Sequence, residues 1–428
     1  MSEWMENMRS LAQAARKAAL TVGVVSSTQK NEALLNAAER LSAEKKVLFE
    51  ANAADLAAGR EKGLSAPLLE RLRLDENVLR RLADGLRQVA SLPDPVGTEI
   101  SRSVRPNGLL VRRVRVPLGV VLIIYEARPN VTVEAASLCL KAGNACILRG
   151  GGEALHSNRA LAETMQRALS AAGLPLETVQ AVPTPDRAAI GELLKLDQYI
   201  DLVVPRGGEG LIRAVAEQSR IPVLKHYKGI CHAYVDAEAD LDMAEKIVLN
   251  AKLQRPATCN AAETLLVHRG VAPSFLPRIA EALIKQGSTL HVCEQTAKLL
   301  AVLSASLGSD KIYPAGPDAW SREYLDKQMS LKVVDSFESA VEHIERYGSR
   351  HTDCIVTKNA ETGRHFQSRV DSACVLVNAS TRLNDGFEFG LGAEIGISTD
   401  KLHARGPMGL EELTTYKWLG DGTGQLRT

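Results

Sequence analysis

From Val116 onward the chain alternates short β-branched runs with amphipathic stretches of helical length, and no other feature constrains its fold as much. The apolar runs at 120–124, 146–148, 178–182, 200–204, 222–224 and 233–235 read as strands. Helical periodicity fills 133–141, 158–171, 187–196 and 211–219 between them; in the third of these Ile190, Leu193 and Leu194 share one face behind a capping Asp186. Strands joined by helices of that length lie parallel, so the pattern predicts a mostly parallel sheet covered by helices on both faces. A second alternation follows, with helices at 241–253, 274–285 and 339–347 and strands at 264–267, 332–334 and 354–357, before a glycine-rich stretch, FEFGLGAEIG, from Phe387. With no low-complexity linker and no internal repeat, two α/β lobes in close contact are expected, with the chemistry in a cleft between them.

The first ninety residues read instead as helices. Leu34, Leu35, Ala38, Leu41 and Leu48 recur at helical spacing, Ser65 can cap a segment led by Pro67, and Asp75 can cap one carrying Leu79, Leu82 and Leu86. Pro93 and Pro95 end this region, and 100–105 and 109–116 flank Pro106-Asn107-Gly108, a hairpin signal. At roughly 150 residues per domain, the 428 residues suit two or three domains. Apolar residues at 45% and charged residues at 24% exclude a disordered chain and a membrane bundle. Lys+Arg 52 against Asp+Glu 51 leaves a net charge of +1, without the basic footprint of a nucleic-acid binder or a membrane anchor. A small-molecule ligand is the expected partner.

Seven cysteines, Cys139, Cys146, Cys231, Cys259, Cys293, Cys354 and Cys374, form no C-x-x-C pair and no cluster at zinc spacing, so a reducing setting and no metal are expected. The acidic N-terminus, MSEWMENMRS, lacks the apolar core of a secretory signal. The longest apolar run, Val116 to Tyr125, contains Pro117 and Gly119 and falls short of a membrane span, so a soluble, cytoplasmic protein is expected.

In NAKLQRPATCNAAETLLV, 250–267, the helix breaks at Gln254-Arg255-Pro256 and Cys259 sits in the polar turn before a strand. A thiolate there suits acyl transfer, since a thioester passes its acyl carbon on readily; the alternative is a small filler residue. Two glycine clusters follow strands: Arg149-Gly150-Gly151-Gly152, and Pro205-Arg206-Gly207-Gly208 at the start of a helix whose amides can face phosphate. Neither is G-x-G-x-x-G, and a plain turn is the alternative for each.

The string VDSFESAVEHIERYGSRHTDCI, Val334 to Ile355, resembles the signature of the gamma-glutamyl phosphate reductase family, of the aldehyde dehydrogenase superfamily. YEARPN, LKAGNACILRGG, DLVVPRGGEGLI, LQRPATCNAAETLLVH and FGLGAEIGISTDKLHARGPMGLEELTTYKW resemble it too, in order and across nearly the whole chain. The resemblance implies an aldehyde-dehydrogenase-like α/β fold: a cofactor domain at 1–235 with an oligomerisation hairpin at about 96–116, a catalytic domain at 236–370 and a return segment at 371–428. It implies NADPH-dependent reduction of L-glutamate 5-phosphate, the second step of proline synthesis, by a homo-oligomer served by glutamate 5-kinase on a separate chain. Residue by residue, it makes Cys259 the nucleophile and gives Asn130 to the oxyanion hole, where an Asx cap is the alternative role. Arg149, Gly150, Gly152, Gly207, Gly208 and Glu323 would hold the cofactor; without the resemblance Glu323 is a surface acid. Arg382, Arg255 and Arg128 are candidates for the substrate's anionic groups, with Asn378, Ser380 and Thr381 forming a cluster of donors ahead of Arg382.

Hydrolytic members of the superfamily carry a glutamate base in an E-L-G-G-K stretch. Here His226, in KHYKG, stands near that place and reads as a loop histidine, while His343 and His351 read as structural. The missing base argues against thioester hydrolysis; transfer to coenzyme A and a non-catalytic NADP-binding role are the remaining alternatives.

Overall fold

The leucine spacing of the first ninety residues does produce helices: α1 (Glu3–Val22), α2 (Ser27–Ala43), α3 (Lys45–Glu61), α4 (Ala66–Leu72) and α5 (Glu76–Ser91). Leu34, Ala38 and Leu41 of α2 meet Leu79, Leu82 and Leu86 of α5 in the buried interior, while Leu35 lies on the outer face, 44% exposed. Asp75 accepts from the Val78 amide at 2.8 Å and caps α5; Ser65 holds the corresponding position of α4, but its side chain makes no capping bond. This computed structural model describes residues 3–301 and 309–427. Its backbone clusters into two units, Met1–Lys225 with Gly390–Gly396 and Met408–Thr428, and His226–Phe389 with Ile397–Pro407.

In the first unit the hairpin forms where Asn107-Gly108 predicts it. Strands β1 (Glu99–Val104) and β2 (Leu110–Pro117) pair antiparallel, with Gly108 at φ +85° in the turn. The C-terminal strand, Thr414–Asp421, pairs with the other edge of β2, which the sequence pattern did not reveal because those residues are exposed on both faces. The βαβ alternation then runs through β3 (Val120–Tyr125), α6 (Asn130–Lys141), β4 (Ala145–Arg149), α7 (Leu155–Ala171), β5 (Val179–Ala181), α8 (Ala188–Leu193), β6 (Leu202–Arg206) and α9 (Glu209–Gln218). The strands form a parallel sheet in the order β5-β4-β3-β6. Every residue of β3 is buried, as its unbroken apolar run requires, and Val120, Leu122 and Ile124 pack with α1 and α8. The strand expected at 222–224 contributes only one bridge, Val203 to Val223, because Pro222 has no N–H to extend the ladder.

The second unit is a seven-stranded parallel sheet built from β7 (Cys231–Val235), α10 (Leu241–Leu253), β8 (Ala262–His268), α11 (Ala272–Lys285), β9 (Thr289–Val292), α12 (Glu294–Leu299), β10 (Ile312–Pro314), β11 (Gln328–Val334), the helix Phe337–Tyr347, β12 (Thr352–Val356), the helix Ala360–Arg369 and β13 (Cys374–Val377). Its order is β10-β9-β11-β8-β7-β12-β13. Ala233 and Val235 of β7 join the core under α10 and α11, whereas Tyr234 between them joins Phe366, Val341 and Ile344 on the opposite face. Helices therefore cover both faces, as the alternation predicted. The division between units falls at Lys225–His226, ahead of β7, because β7 pairs with β8 and β12. Among the described residues, no helix is long and apolar enough to cross a membrane.

Candidate active site

In the first unit β4, β3 and β6 are parallel neighbours, so the residues that follow them share one edge of the sheet. Arg149 ends β4 and Gly150–Gly152 follow it, Arg128 and Asn130 follow β3, and Gly207 and Gly208 follow β6. Ligands of open parallel sheets bind outside this carboxyl edge. The glycines are needed for close approach: a Cβ on Gly150 would stand 2.0 Å from Asn158 Nδ2, and one on Gly207 would stand 2.7 Å from the Glu126 carboxyl carbon. Gly208 caps α9 without a side chain, and no neighbouring group crowds the place its Cβ would take, so the start of the helix, which favours an anion, is sterically approachable. The Glu126 carboxylate now accepts from the Gly208 amide at 3.3 Å and would have to yield to one.

Arg149 donates to the carbonyls of Gly150 at 2.9 Å and Pro185 at 2.8 Å, and its Nε is buried without a hydrogen-bond partner. Burial pulls its pKa down and Glu153 pulls it back up. The Glu153 carboxylate folds over Gly151, where a Cβ would meet it at 2.1 Å. Asn130 does not cap α6, since Pro129 holds that position; its Nδ2 donates to Glu134 Oε1 at 2.9 Å, one turn on. Arg128 is exposed.

In the second unit the opposite edge gathers the functional groups. β8, β7 and β12 are parallel neighbours, so the segments leading into them converge. Cys259 stands ahead of β8, His226 and Gly229 ahead of β7, and His351 immediately ahead of β12. The Cys231 thiol donates to the Cys259 carbonyl at 3.2 Å. The Gly229 amide donates to Glu323 Oε1 at 2.8 Å, which places Glu323 beside the same turn. His226 Nδ1 lies 2.9 Å from the Ile397 carbonyl oxygen. His351 is buried, its Nδ1 is 2.7 Å from Thr352 Oγ1, and burial pushes its pKa down to about 3, so it is neutral at physiological pH.

Burial narrows the candidate thiols to two. Cys139, Cys146, Cys231, Cys354 and Cys374 are buried, and burial raises the pKa of Cys231, Cys354 and Cys374; only Cys259 and Cys293 are partly open. Cys293 lies against the Thr296 hydroxyl at 3.2 Å, ahead of α12. The turn carrying Cys259 is pinned at both ends: Lys252 on α10 and Glu263 on β8 form a fully buried ion pair at 2.6 Å. Desolvation pushes the Glu263 carboxyl up to about 7 and lowers the Lys252 amine, and each partner opposes the shift of the other.

Of the three candidate arginines, Arg382 and Arg255 stand near the thiol. Arg382 donates to Gln254 Oε1 at 2.9 Å and to Asn260 Oδ1, the residue after Cys259; burial lowers its pKa, the charge of Arg255 adds to that, and Cys259 counters it. In the donor cluster ahead of Arg382, Asn378 and Ser380 serve the backbone instead, whereas the buried Thr381 hydroxyl has no hydrogen-bond partner. Asn378 bridges the amide and carbonyl of Thr357 at 2.9 Å each, and Ser380 accepts from the Arg382 amide. His343 packs among His232, Trp320 and Tyr347, in keeping with a structural role. The neighbourhood of His226 and His351 was not evident in the sequence; the clue is that KHYKGIC and GSRHTD lead into β7 and β12, which pair side by side.

Gly229 has the tightest constraint in this site, because a Cβ there would stand 1.9 Å from the Cys259 carbonyl oxygen and 2.6 Å from its Cα. Backbone cannot yield as a side-chain tip can, so Gly229→Ala must displace the turn. We expect kcat to fall by at least about tenfold, in line with a misplacement of order 1 Å, with KM for the nicotinamide cofactor little changed. An unaltered kcat would contradict this reading of the turn.

Comparison with known proteins agrees with this architecture. The sequence profile of the aldehyde dehydrogenase family matches residues 4–298. Gamma-glutamyl phosphate reductase of Moorella thermoacetica is 55% identical over 415 residues, covering 97% of both chains. The Opitutus terrae protein of that name is 54% identical over 420 residues, 98% of this chain and 97% of its own. The crystal structure of gamma-glutamyl phosphate reductase from Thermotoga maritima matches with a TM-score of 0.95 at 43% identity, over 98% of this chain and 100% of that one. The chain belongs to the gamma-glutamyl phosphate reductase family of aldehyde-dehydrogenase-like enzymes.

Proposed function

We propose that this enzyme reduces L-glutamate 5-phosphate to L-glutamate 5-semialdehyde and phosphate through a thioester on Cys259, as the second step of proline synthesis in the cytoplasm. The observation that carries the reading is a half-buried thiol on a pinned turn, with Arg255 and Arg382 beside it, in a chain so similar to reductases of that name.

Cys259 attacks the acyl carbon of the substrate; a C–S bond forms, the bond to the phosphate oxygen breaks and phosphate leaves. Bound NADPH supplies the hydride that takes the thioester to the aldehyde level. The sulfur then departs as the carbonyl reforms, which regenerates the thiolate. The resemblance assigns the oxyanion to the Cys259 amide and the Asn130 side chain, whose Nδ2 would exchange Glu134 for substrate. Arg255 and Arg382 would neutralise the substrate's anionic groups, with Arg128 a weaker candidate. Arg149, Gly150, Gly152, Gly207, Gly208 and Glu323 would hold the cofactor; the start of α9, where Gly208 brings no side chain, suits its diphosphate. The sheet of β1, β2 and the C-terminal strand, with Tyr416 49% and Trp418 63% exposed, suits assembly of a homo-oligomer. Glutamate 5-kinase would supply the substrate.

Reduction of NADP with glutamate semialdehyde and phosphate tests the reaction in reverse. Cys259→Ala should abolish phosphate-dependent turnover and leave NADPH binding nearly intact, and substantial residual turnover would sink the mechanism. Arg382→Ala should raise KM for the semialdehyde or for phosphate by at least about tenfold, as expected for one lost charge-assisted contact; unchanged KM values would remove Arg382 from substrate binding.

Cofactor choice turns on Arg149 and on Gly152, a position where a carboxylate would repel a 2′-phosphate. A higher kcat/KM for NADP than for NAD is expected, and Glu153→Gln should widen the ratio by removing the carboxylate now folded over Gly151. A clear preference for NAD would contradict the assignment.

A further inference from the structure

The edge of the second sheet assembles a set of donors that the reaction above does not use together. His226, Cys259 and His351 each offer one ligand atom, and these atoms all lie within 4.8 Å of one another. No local sequence motif joins them, since they come from the lead-in segments of three neighbouring parallel strands, β7, β8 and β12. We propose that the three residues form a site for Zn2+ whose occupation silences Cys259.

Two imidazole nitrogens and a thiolate are the donors that a borderline-soft cation selects, and the set contains no carboxylate to favour Mg2+ or Ca2+. Tetrahedral zinc with bonds of about 2.0–2.3 Å holds its donors roughly 3.3–3.7 Å apart. Closure from the separations seen here needs a movement of about 1 Å, within reach of rotamer changes in the half-buried His226 and Cys259.

The surroundings of both imidazoles suit ligation. The Ile397 carbonyl can only accept, so the hydrogen of a neutral His226 resides on Nδ1, 2.9 Å away, and the lone pair is on Nε2. A backbone carbonyl in that position is a common orienting partner of a metal-binding histidine. His351 is buried with Nδ1 against Thr352 Oγ1, and its Nε2 has no hydrogen-bond partner. A buried nitrogen without a partner is costly, and a metal bond would satisfy it. On binding, the Cys259 thiol gives its proton to solvent and the sulfur lone pair goes to zinc. That sulfur can no longer attack an acyl carbon. Solvent can fill the fourth position, since Cys259 is only half buried.

The test needs neither substrate nor cofactor, so its failure is separate from failure of the proposed reaction. Chelator-treated full-length protein is titrated with ZnCl2 in competition with a chromophoric chelator. In parallel, alkylation of Cys259 by iodoacetamide is followed by mass spectrometry. One zinc ion per chain is expected, with Cys259 alkylation slowed by at least about tenfold, restored by EDTA and unaffected by MgCl2. His226→Gln, Cys259→Ser and His351→Asn should each weaken zinc binding by at least about tenfold. His351 is fully buried and its variant can fail for want of folding, so the two half-buried positions carry the decision. The proposal is overturned if His226→Gln and Cys259→Ser bind zinc as tightly as the wild type, or if saturating zinc leaves Cys259 alkylation unchanged.

Discussion

Parallel pairing gives a sheet two unlike edges, and both units of this protein organise their chemistry by that fact. In the first unit, β4, β3 and β6 end together, and α9 begins just beyond, so the positive end of the helix dipole lies where an anion would bind. The second unit gathers its reactive groups at the starts of β8, β7 and β12. There α10 arrives by its C-terminal end, at Leu253, only a few residues before Cys259. A helix C-terminus disfavours a thiolate or an anionic substrate by roughly 0.3–1 kcal/mol. Arg255 and Arg382 supply the opposite charge that such an edge lacks.

The same edge must also hold the turn still. The approach of Gly229 to the Cys259 carbonyl leaves no room for a side chain, and the Gly229 amide is spent on Glu323. Lys252 and Glu263, at the two ends of the turn, are both fully buried. A buried pair of this kind contributes little net stability, because desolvation offsets the attraction, yet loss of one partner strands a charge at a cost of about 3–5 kcal/mol. Its effect here is to specify: the end of α10 and the start of β8 have one favourable register, and the turn between them inherits it.

The fold was legible where strong periodicity coincided with burial. The unbroken run VVLIIY announced β3, the spacing in 241–253 gave α10 with its bounds, and Asn107-Gly108 placed the hairpin. Strands β9, β10 and β13 have three or four residues each and left no periodic signal, and the C-terminal strand is exposed on both faces and shows no alternation. At the site, Cys259 was legible from the broken helix before it, and Arg255 from its place in the same turn. The nearness of His226, Gly229 and His351 depends on strand order across the sheet, which no local pattern encodes. Asn378 and Ser380 were misleading for a related reason: polar residues without an apolar face suit a ligand pocket, but they also suit a loop that must satisfy its own backbone, and here they bond Thr357 and Arg382.

The central claim is that Cys259 carries the acyl group, and intercepting that species tests it most directly. Enzyme mixed with glutamate semialdehyde and NADP, with phosphate withheld, has no acceptor other than water and should accumulate the thioester. Mass spectrometry of the acid-quenched protein should then find a glutamyl adduct on the peptide containing Cys259, and added phosphate should discharge it. NADP reduction that proceeds with no adduct on that peptide, or with the adduct on another residue, would contradict the account.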